Sequence, residues 1–297
     1  MRLGIAFGVA QTVGAALCFV FSRGGVLAGF RPEDITLLRF LGAALVFLPM
    51  LLHRSRTGLA DIGWRRGLIL TLLAGPLFTY VQTAGYLFAP LAHGAVLAPM
   101  SVTLFSMAMA LVLLGERYGL AYALGTAGIL FGLLLVGGEG LSAGGGKHVW
   151  VGDLLFVGCG LMWAGYTILL RQWRLDAVAA TAAVTLIGLV VSVPAYLLIT
   201  PAGHVASLPP GEIAIQALIQ GVMSGALAMI AYSRAVEYLG AGRAVLFPAL
   251  VPGLTIVFGI PLLGELPTLV QLLGLASASV GLLVALRVRR LPGRGEI

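Results

Sequence analysis

The sequence predicts an all-α integral membrane protein whose ten transmembrane helices form two inverted five-helix repeats. Composition, a series of apolar stretches and a motif that occurs twice lead to this prediction. Hydrophobic residues make up 60% of the 297 residues, charged residues make up 10%, and the mean hydropathy is +1.05. A soluble domain could not cover its surface with so few polar side chains.

The apolar stretches set the number of predicted spans. A span needs about 20 residues to cross about 30 Å of hydrocarbon. Ten such stretches can be placed, at residues 3–27, 35–52, 67–88, 94–114, 119–136, 153–170, 178–199, 212–233, 243–263 and 268–286. The connections are short, so we expect no separate catalytic or nucleic-acid-binding domain.

A repeated motif divides the chain into two halves. The sequence Ala-Val-Leu at 95–97, with Pro99 after it, recurs at 244–246 with Pro248 after it. The pair Gly-Glu at 115–116 recurs at 264–265. We therefore expect two repeats, residues 1–148 and 149–297, that share one plan. Because five spans is an odd number, the second copy must enter the membrane in the opposite direction.

The basic residues orient the chain. With a cytoplasmic N-terminus, the connections on the inside contain most of the arginines, and those on the outside contain little beyond Arg31 and Lys147. This positive-inside pattern predicts that both termini are cytoplasmic and that the protein lies in the inner membrane of a cell. The many arginines beside one lysine are typical of a GC-rich bacterial genome. The net charge of +7 follows from the same pattern and requires no nucleic-acid partner.

The reactive side chains do not indicate an enzyme. Cys18 and Cys159 lie inside predicted spans, and the four histidines have no metal-ligand spacing. We expect no metal, no cofactor and no catalytic residues. Arg23 and Arg39 are expected about one turn from the outer surface, near Glu33 and Asp34. With no ionisable group near the bilayer centre, we expect no buried proton relay, and we do not expect phosphates or nucleotide sugars as cargo.

Polar and aromatic side chains inside the spans indicate a binding site. The third span presents Thr79, Gln82, Thr83 and Tyr86 on one helical face, which should face the bundle interior because lipid contact would be costly. Proline removes a backbone hydrogen bond, so kinks or breaks are expected at Pro76, Pro99, Pro248 and Pro252. The candidate substrate-binding residues are Phe19, Thr79, Tyr80, Gln82, Thr83, Pro99, Trp163, Tyr166, Tyr232 and Pro248. For any one of them, interhelical hydrogen bonding or aromatic packing is the alternative role.

The ten-span plan, the repeated motif and the stretch 161–171 resemble the drug/metabolite transporter superfamily, specifically its EamA-type members. Among these, the chain is most similar to bacterial aromatic amino acid exporters. The resemblance implies a central cavity lined by spans 1, 3, 4, 6, 8 and 9, and transport by alternating access. Many relatives have a tryptophan where this chain has Phe19.

The sequence and the resemblance together predict a secondary transporter that moves small, net-neutral metabolites out of the cytoplasm. Amino acids, including hydrophobic and aromatic ones, are the expected cargo, with Thr79 and Gln82 binding the zwitterionic head. A drug-efflux or metabolite-uptake carrier of the same fold is the alternative. A channel fits less well, because the spans contain no rings of charged residues.

Overall fold

The computed structural model describes residues 1–54, 59, 62–113, 119–141, 148–200, 204–244 and 246–286, and within these ranges all regular structure is helical. The helices of the first half are α1 Arg2–Leu27, α2 Pro32–Arg54, α3 Trp64–Ala74, α4 Pro76–Gly85, α5 Leu91–Leu113 and α6 Leu120–Leu141. Those of the second half are α7 Val149–Gln172, α8 Ala177–Ile199, α9 Pro210–Gln216, a π-helical segment Ala217–Leu227, α10 Ala228–Leu239, α11 Ala241–Ala244, α12 Leu246–Ala249, α13 Val251–Leu263 and α14 Leu269–Leu286.

Seven helical segments of the described residues are long and apolar enough to cross a membrane. They are Arg2–Leu27, Trp64–Gly85, Leu91–Leu113, Leu120–Leu141, Val149–Gln172, Ala177–Ile199 and Pro210–Leu239. Two shorter apolar helices, Val251–Leu263 and Leu269–Ala285, follow them. The all-helical membrane architecture is therefore present, while the count of ten spans stays a prediction.

Of the three spans that contain the predicted prolines, two have an interrupted helix and one does not. The third span is divided into α3 and α4 at Gly75 and Pro76, and the ninth span is interrupted at Leu250, between Pro248 of α12 and Pro252 of α13. In contrast, α5 continues through Pro99 without interruption. A single proline removes only one backbone donor, and the surrounding turns of a long helix can hold its geometry.

The π-helical segment in the middle of the eighth span was not expected. It packs closely against α2, where Gly42 and Gly221 meet backbone to backbone. A side chain at Gly221 would place its Cβ 2.5 Å from the Gly42 Cα. The polar residues Gln216, Gln220 and Ser224 of this span recur every four positions, a spacing that favours an α-helix, so the sequence does not indicate the wider π-helical turn.

The helices pack in a ring that surrounds the centre of the protein. Each consecutive pair in the order α1, α13, α5, α7, α4, α2 and the π-helical segment is in contact, and the π-helical segment contacts α1 again. Outside the ring, α8 packs against α2 and α3, and α6 packs against α14. The candidate site residues on α1, α4, α5 and α7 therefore belong to helices of the ring.

The contact between α6 and α14 is reciprocal, as expected for two copies of one unit. Gly132 lies against Gly274, and Gly125 lies against Gly281. Because rising residue numbers in α6 meet falling numbers in α14, these equivalent helices run antiparallel. Small residues allow the two backbones to approach closely where lipid provides no hydrophobic driving force for association.

This contact makes a prediction about stability. Gly132→Leu should destabilise the folded protein by about 1–3 kcal/mol, because a Cβ at Gly132 would lie 2.5 Å from the Gly274 carbonyl oxygen and force the helices apart. Gly138→Leu on the same helix is the control, because no atom lies within 4 Å of its added Cβ. Thermal unfolding in detergent measures both variants, and equal unfolding temperatures would contradict the packing role.

Candidate functional site

The polar face of α4 points into the protein. Thr79, Gln82, Thr83 and Tyr86 have exposed fractions of 3%, 6%, 1% and 0%. The helix packs against α7 on one side and α2 on the other, and the Tyr86 ring lies 4.8 Å from the Phe156 ring of α7. The predicted interior orientation of this face is confirmed.

Part of the hydrogen-bonding capacity of this face is unused. The Thr79 hydroxyl lies 3.5 Å from the Gly75 carbonyl oxygen of its own helix turn. The Thr83 hydroxyl oxygen is buried without a hydrogen-bond partner among the described residues, and within those residues the Gln82 side chain forms no hydrogen bond either. Unpaired polar groups in a membrane interior are costly unless water or a ligand binds them. The α4 face therefore has the properties of a surface that binds a polar group.

Aromatic residues of α7 lie beside this face. The Trp163 ring lies 5.1 Å from the Phe78 ring of α4 and 5.2 Å from the Tyr166 ring. The Tyr166 hydroxyl lies 3.4 Å from Thr181 Oγ1 of α8, and its ring is 2% exposed within a core shared with α3 and α8. In this structure Trp163 is only partly buried, whereas Tyr166 packs behind it.

The remaining predicted site residues occupy different places. Tyr80 is 43% exposed and lines a shallow depression of about 460 Å³ beside Arg31 and Glu33. Phe19 is partly buried and packs against a core to which α1, α5, α6, α7 and α14 contribute. Pro99, Tyr232 and Pro248 are partly buried on α5, α10 and α12 respectively. The structure thus groups α4 with Trp163 and places Tyr80 in the depression.

Arg23 joins three parts of the chain at the end of α1. Its Nε lies 2.6 Å from Glu265 Oε1, and its Nη1 donates to the Tyr86 carbonyl oxygen at 2.7 Å. The second carboxylate oxygen of Glu265 accepts from the Leu91 backbone N–H at 2.7 Å. We call Arg23, Glu265 and these two backbone groups the outer closure, because the predicted orientation places them on the outer side.

Arg23 was expected near Glu33 and Asp34, but its carboxylate partner in the structure is Glu265. Glu265 reaches α1 because Gly264 ends α13 in the left-handed region, at φ +68°, and turns the chain back. Asp34 is engaged elsewhere: it accepts from the Tyr196 hydroxyl at 2.7 Å and lies 2.8 Å from His204 Nδ1. Residues this far apart in sequence give no local signal of their contact.

A second cavity lies beside the outer closure. It has a volume of about 410 Å³, and its charged and polar lining includes Arg23, His93, Glu139, Glu265 and Gln271. His93 Nδ1 lies 2.7 Å from Asp153 Oδ1, and the two side chains are 2% and 10% exposed. Nothing in the sequence indicates this buried pair, because its two residues are 60 positions apart. In the described ranges, no three His, Cys, Asp or Glu residues group as a metal site.

Comparison with known proteins identifies the family. The EamA-like transporter family model matches residues 2–138 and again residues 150–287. No curated protein matches the chain. A solved crystal structure is 21% identical over 99% of both chains, with a TM-score of 0.65, and so shares the fold. The chain therefore belongs to the EamA-like transporter family, whose members are membrane transporters of the drug/metabolite type and not enzymes.

Proposed function

We propose that this transporter exports small, net-neutral metabolites from the cytoplasm by alternating access, and that amino acids with hydrophobic or aromatic side chains are its cargo. The observation that carries the proposal is the buried face of α4, where Gln82 and Thr83 have no hydrogen-bond partner among the described residues. The Trp163 ring packs against Phe78 of the same helix. Polar groups that orient a ligand beside an apolar wall are typical of small-molecule sites.

The predicted site residues would have two kinds of role. Gln82 and Thr83 bind the polar head of the cargo, and Phe19, Tyr80, Trp163 and Tyr232 contact its side chain. Thr79 and Tyr166 act through their neighbours, because Thr79 lies over the Gly75 carbonyl and Tyr166 supports the Trp163 ring. Pro248 contributes backbone groups beside the interruption of its span, and Pro99 leaves the carbonyl group one turn before it without its usual helical donor.

Alternating access requires an element that opens on the outer side. The outer closure is suited to this, because it links α1 to two turns through side chains that are about a fifth exposed. Such a pair contributes on the order of 1 kcal/mol, so its opening is thermally accessible. We further propose that the protein lies in a bacterial inner membrane with both termini in the cytoplasm. Drug efflux or metabolite uptake by the same fold is the alternative.

The first functional prediction concerns the cargo site. Trp163→Ala and Gln82→Ala should each lower kcat/KM for aromatic amino acid transport in proteoliposomes by about tenfold or more, equivalent to about 1.4 kcal/mol. Trp150→Ala is the control on the same helix, because Trp150 is 44% exposed at the start of α7.

The amount of folded protein in the liposomes normalises each rate. A loss of transport that only follows the loss of folded protein would assign Trp163 and Gln82 to packing. Transport that is normal in both variants would contradict the proposed site.

The second functional prediction concerns the outer closure. Glu265→Gln removes the charge that holds Arg23, so the outward-open population should rise by about fivefold, the equivalent of about 1 kcal/mol. A single cysteine at Thr83, in a protein whose native cysteines are replaced by serine, reports this as faster labelling by an impermeant reagent from outside. Glu237→Gln is the control, because Glu237 pairs with Arg234 on the exposed surface of α10. Unchanged or slower labelling in Glu265→Gln would show that the ion pair does not gate access.

A further inference from the structure

We propose that Arg39 binds the carboxylate group of the cargo. This subsite rests on the proposed transport function and narrows its substrate class to metabolites that carry a carboxylate. The inference stands on the depth of Arg39, on its lack of a carboxylate partner and on the neutrality of its neighbours.

Arg39 lies about two turns inside α2, about one turn deeper than expected. It follows the first residue, Pro32, by seven positions, or about 10 Å along the helix at about 1.5 Å per residue. Its Nη1 donates to Cys18 Sγ at 3.2 Å. Cys18 precedes the end of α1 at Leu27 by nine residues, about 14 Å. The guanidinium group therefore does not extend toward the nearer surface, as a lipid-facing arginine does.

No carboxylate of the described residues lies within ion-pair distance of Arg39. Asp34, on the same helix, is fully buried and engaged by Tyr196, His204 and the Arg31 N–H. The other acidic residue of α2, Glu33, lines the outer depression. A guanidinium has five N–H donors, and among the described residues the Arg39 side chain uses one of them, on Cys18. Its charge and most of its donors are left for a bound molecule.

The neighbours of Arg39 are already paired with one another. The Cys18 thiol donates to Gln220 Oε1 at 3.1 Å, so it accepts from Arg39 as a neutral group. Gln220 Nε2 donates to the Cys18 carbonyl oxygen at 3.1 Å and to Ser22 Oγ at 2.9 Å. Gln220 is fully buried. These groups hold the position of Arg39 but cannot neutralise its charge.

The backbone around Arg39 is held closely. Gly42 and Gly221 allow α2 to touch the π-helical segment, and a Cβ at Gly221 would lie 2.9 Å from the Arg39 carbonyl oxygen. π-Helical turns inside longer helices occur frequently at functional sites. The arrangement therefore fixes the position of a cation where α1, α2 and the π-helical segment meet.

A carboxylate is the ligand whose chemistry fits this cation. The planar guanidinium presents parallel N–H donors that match the two oxygens of a carboxylate, and such charge-assisted pairs are strong. An amino acid has this group at one end. Its ammonium group is then left for oxygen acceptors, and Gln82 and Thr83 are candidates because their helix, α4, packs against α2. Arg39 thus binds the carboxylate, and the α4 face binds the remainder of the head.

The test compares a carboxylate with its amide. The purified full-length protein in lipid nanodiscs is mixed with L-phenylalanine, L-phenylalaninamide or phenylacetate, and the unfolding temperature is followed with ligand concentration. In the wild type, the two carboxylates should raise the unfolding temperature, and the amide should bind at least about tenfold more weakly. Arg39→Gln should remove this preference. Arg39→Lys should keep part of the preference for carboxylates, because lysine has the charge but lacks the parallel N–H donors of the guanidinium group.

Two controls separate binding from a structural role. Arg31→Gln removes one charge from an exposed position before the same helix and should leave the preference unchanged. Without ligand, Arg39→Gln should be at least as stable as the wild type, because a partly buried cation without a carboxylate partner is costly. An arginine needed only for packing would give the opposite result, a less stable variant that keeps the preference for carboxylates.

The outcomes distinguish this inference from the proposed function. Arg39-dependent binding of phenylacetate without amino acid transport would support the subsite and overturn the amino acid cargo. Equal transport of phenylalanine and its amide, unchanged in Arg39→Gln, would overturn the subsite and leave the transport function in place. If neither carboxylate raises the unfolding temperature of the wild type, the subsite is overturned.

Discussion

The structure depends on one constraint: the hydrocarbon region offers no water to backbone groups, so every irregular point of a helix must be satisfied by the protein itself. The ninth span shows this clearly. Its helix is interrupted between α12 and α13, and the Thr12 hydroxyl of α1 lies 3.0 Å from the Phe247 carbonyl oxygen. The interruption is thus tied to α1. Arg23, near the C-terminal end of α1, binds Glu265, which follows α13. Helix α1 therefore contacts irregular parts of the second half at two points along its length.

Small residues solve a related problem of close approach. Glycines of α6 meet glycines of α14, and Gly42 of α2 meets Gly221 of the π-helical segment. These contacts fix helix pairs of opposite halves without polar side chains. In consequence, the polar residues of the ring helices are not all needed to hold the bundle together. Gln82 and Thr83 of α4 and Arg39 of α2 take no part in these contacts, which is consistent with the proposed cargo site.

Features that repeat locally were predictable from the sequence, whereas contacts between distant residues were not. The buried face of α4 followed from helical spacing, and the break at Pro76 followed from the chemistry of proline. The pairing of Arg23 with Glu265 joins residues 242 positions apart and depends on the turn at Gly264. Glu116, the copy of Glu265 in the first half, lies outside the described residues.

Arg23 and Arg39 show why pairing decides the role of a cation in a carrier. Arg23 is already paired with Glu265, so a carboxylate of the cargo would bind weakly there. The pair is suited to holding helices together. Arg39 has no carboxylate partner among the described residues, so a bound carboxylate removes the cost of an isolated charge. A ligand shifts a conformational equilibrium only by its differential affinity for the two states. Closing both ends around an unpaired cation excludes the water that solvates it, whereas closing them around a neutralised pair does not incur this cost. In the proposed mechanism, a carboxylate on Arg39 therefore favours closure of the carrier with cargo over closure without it.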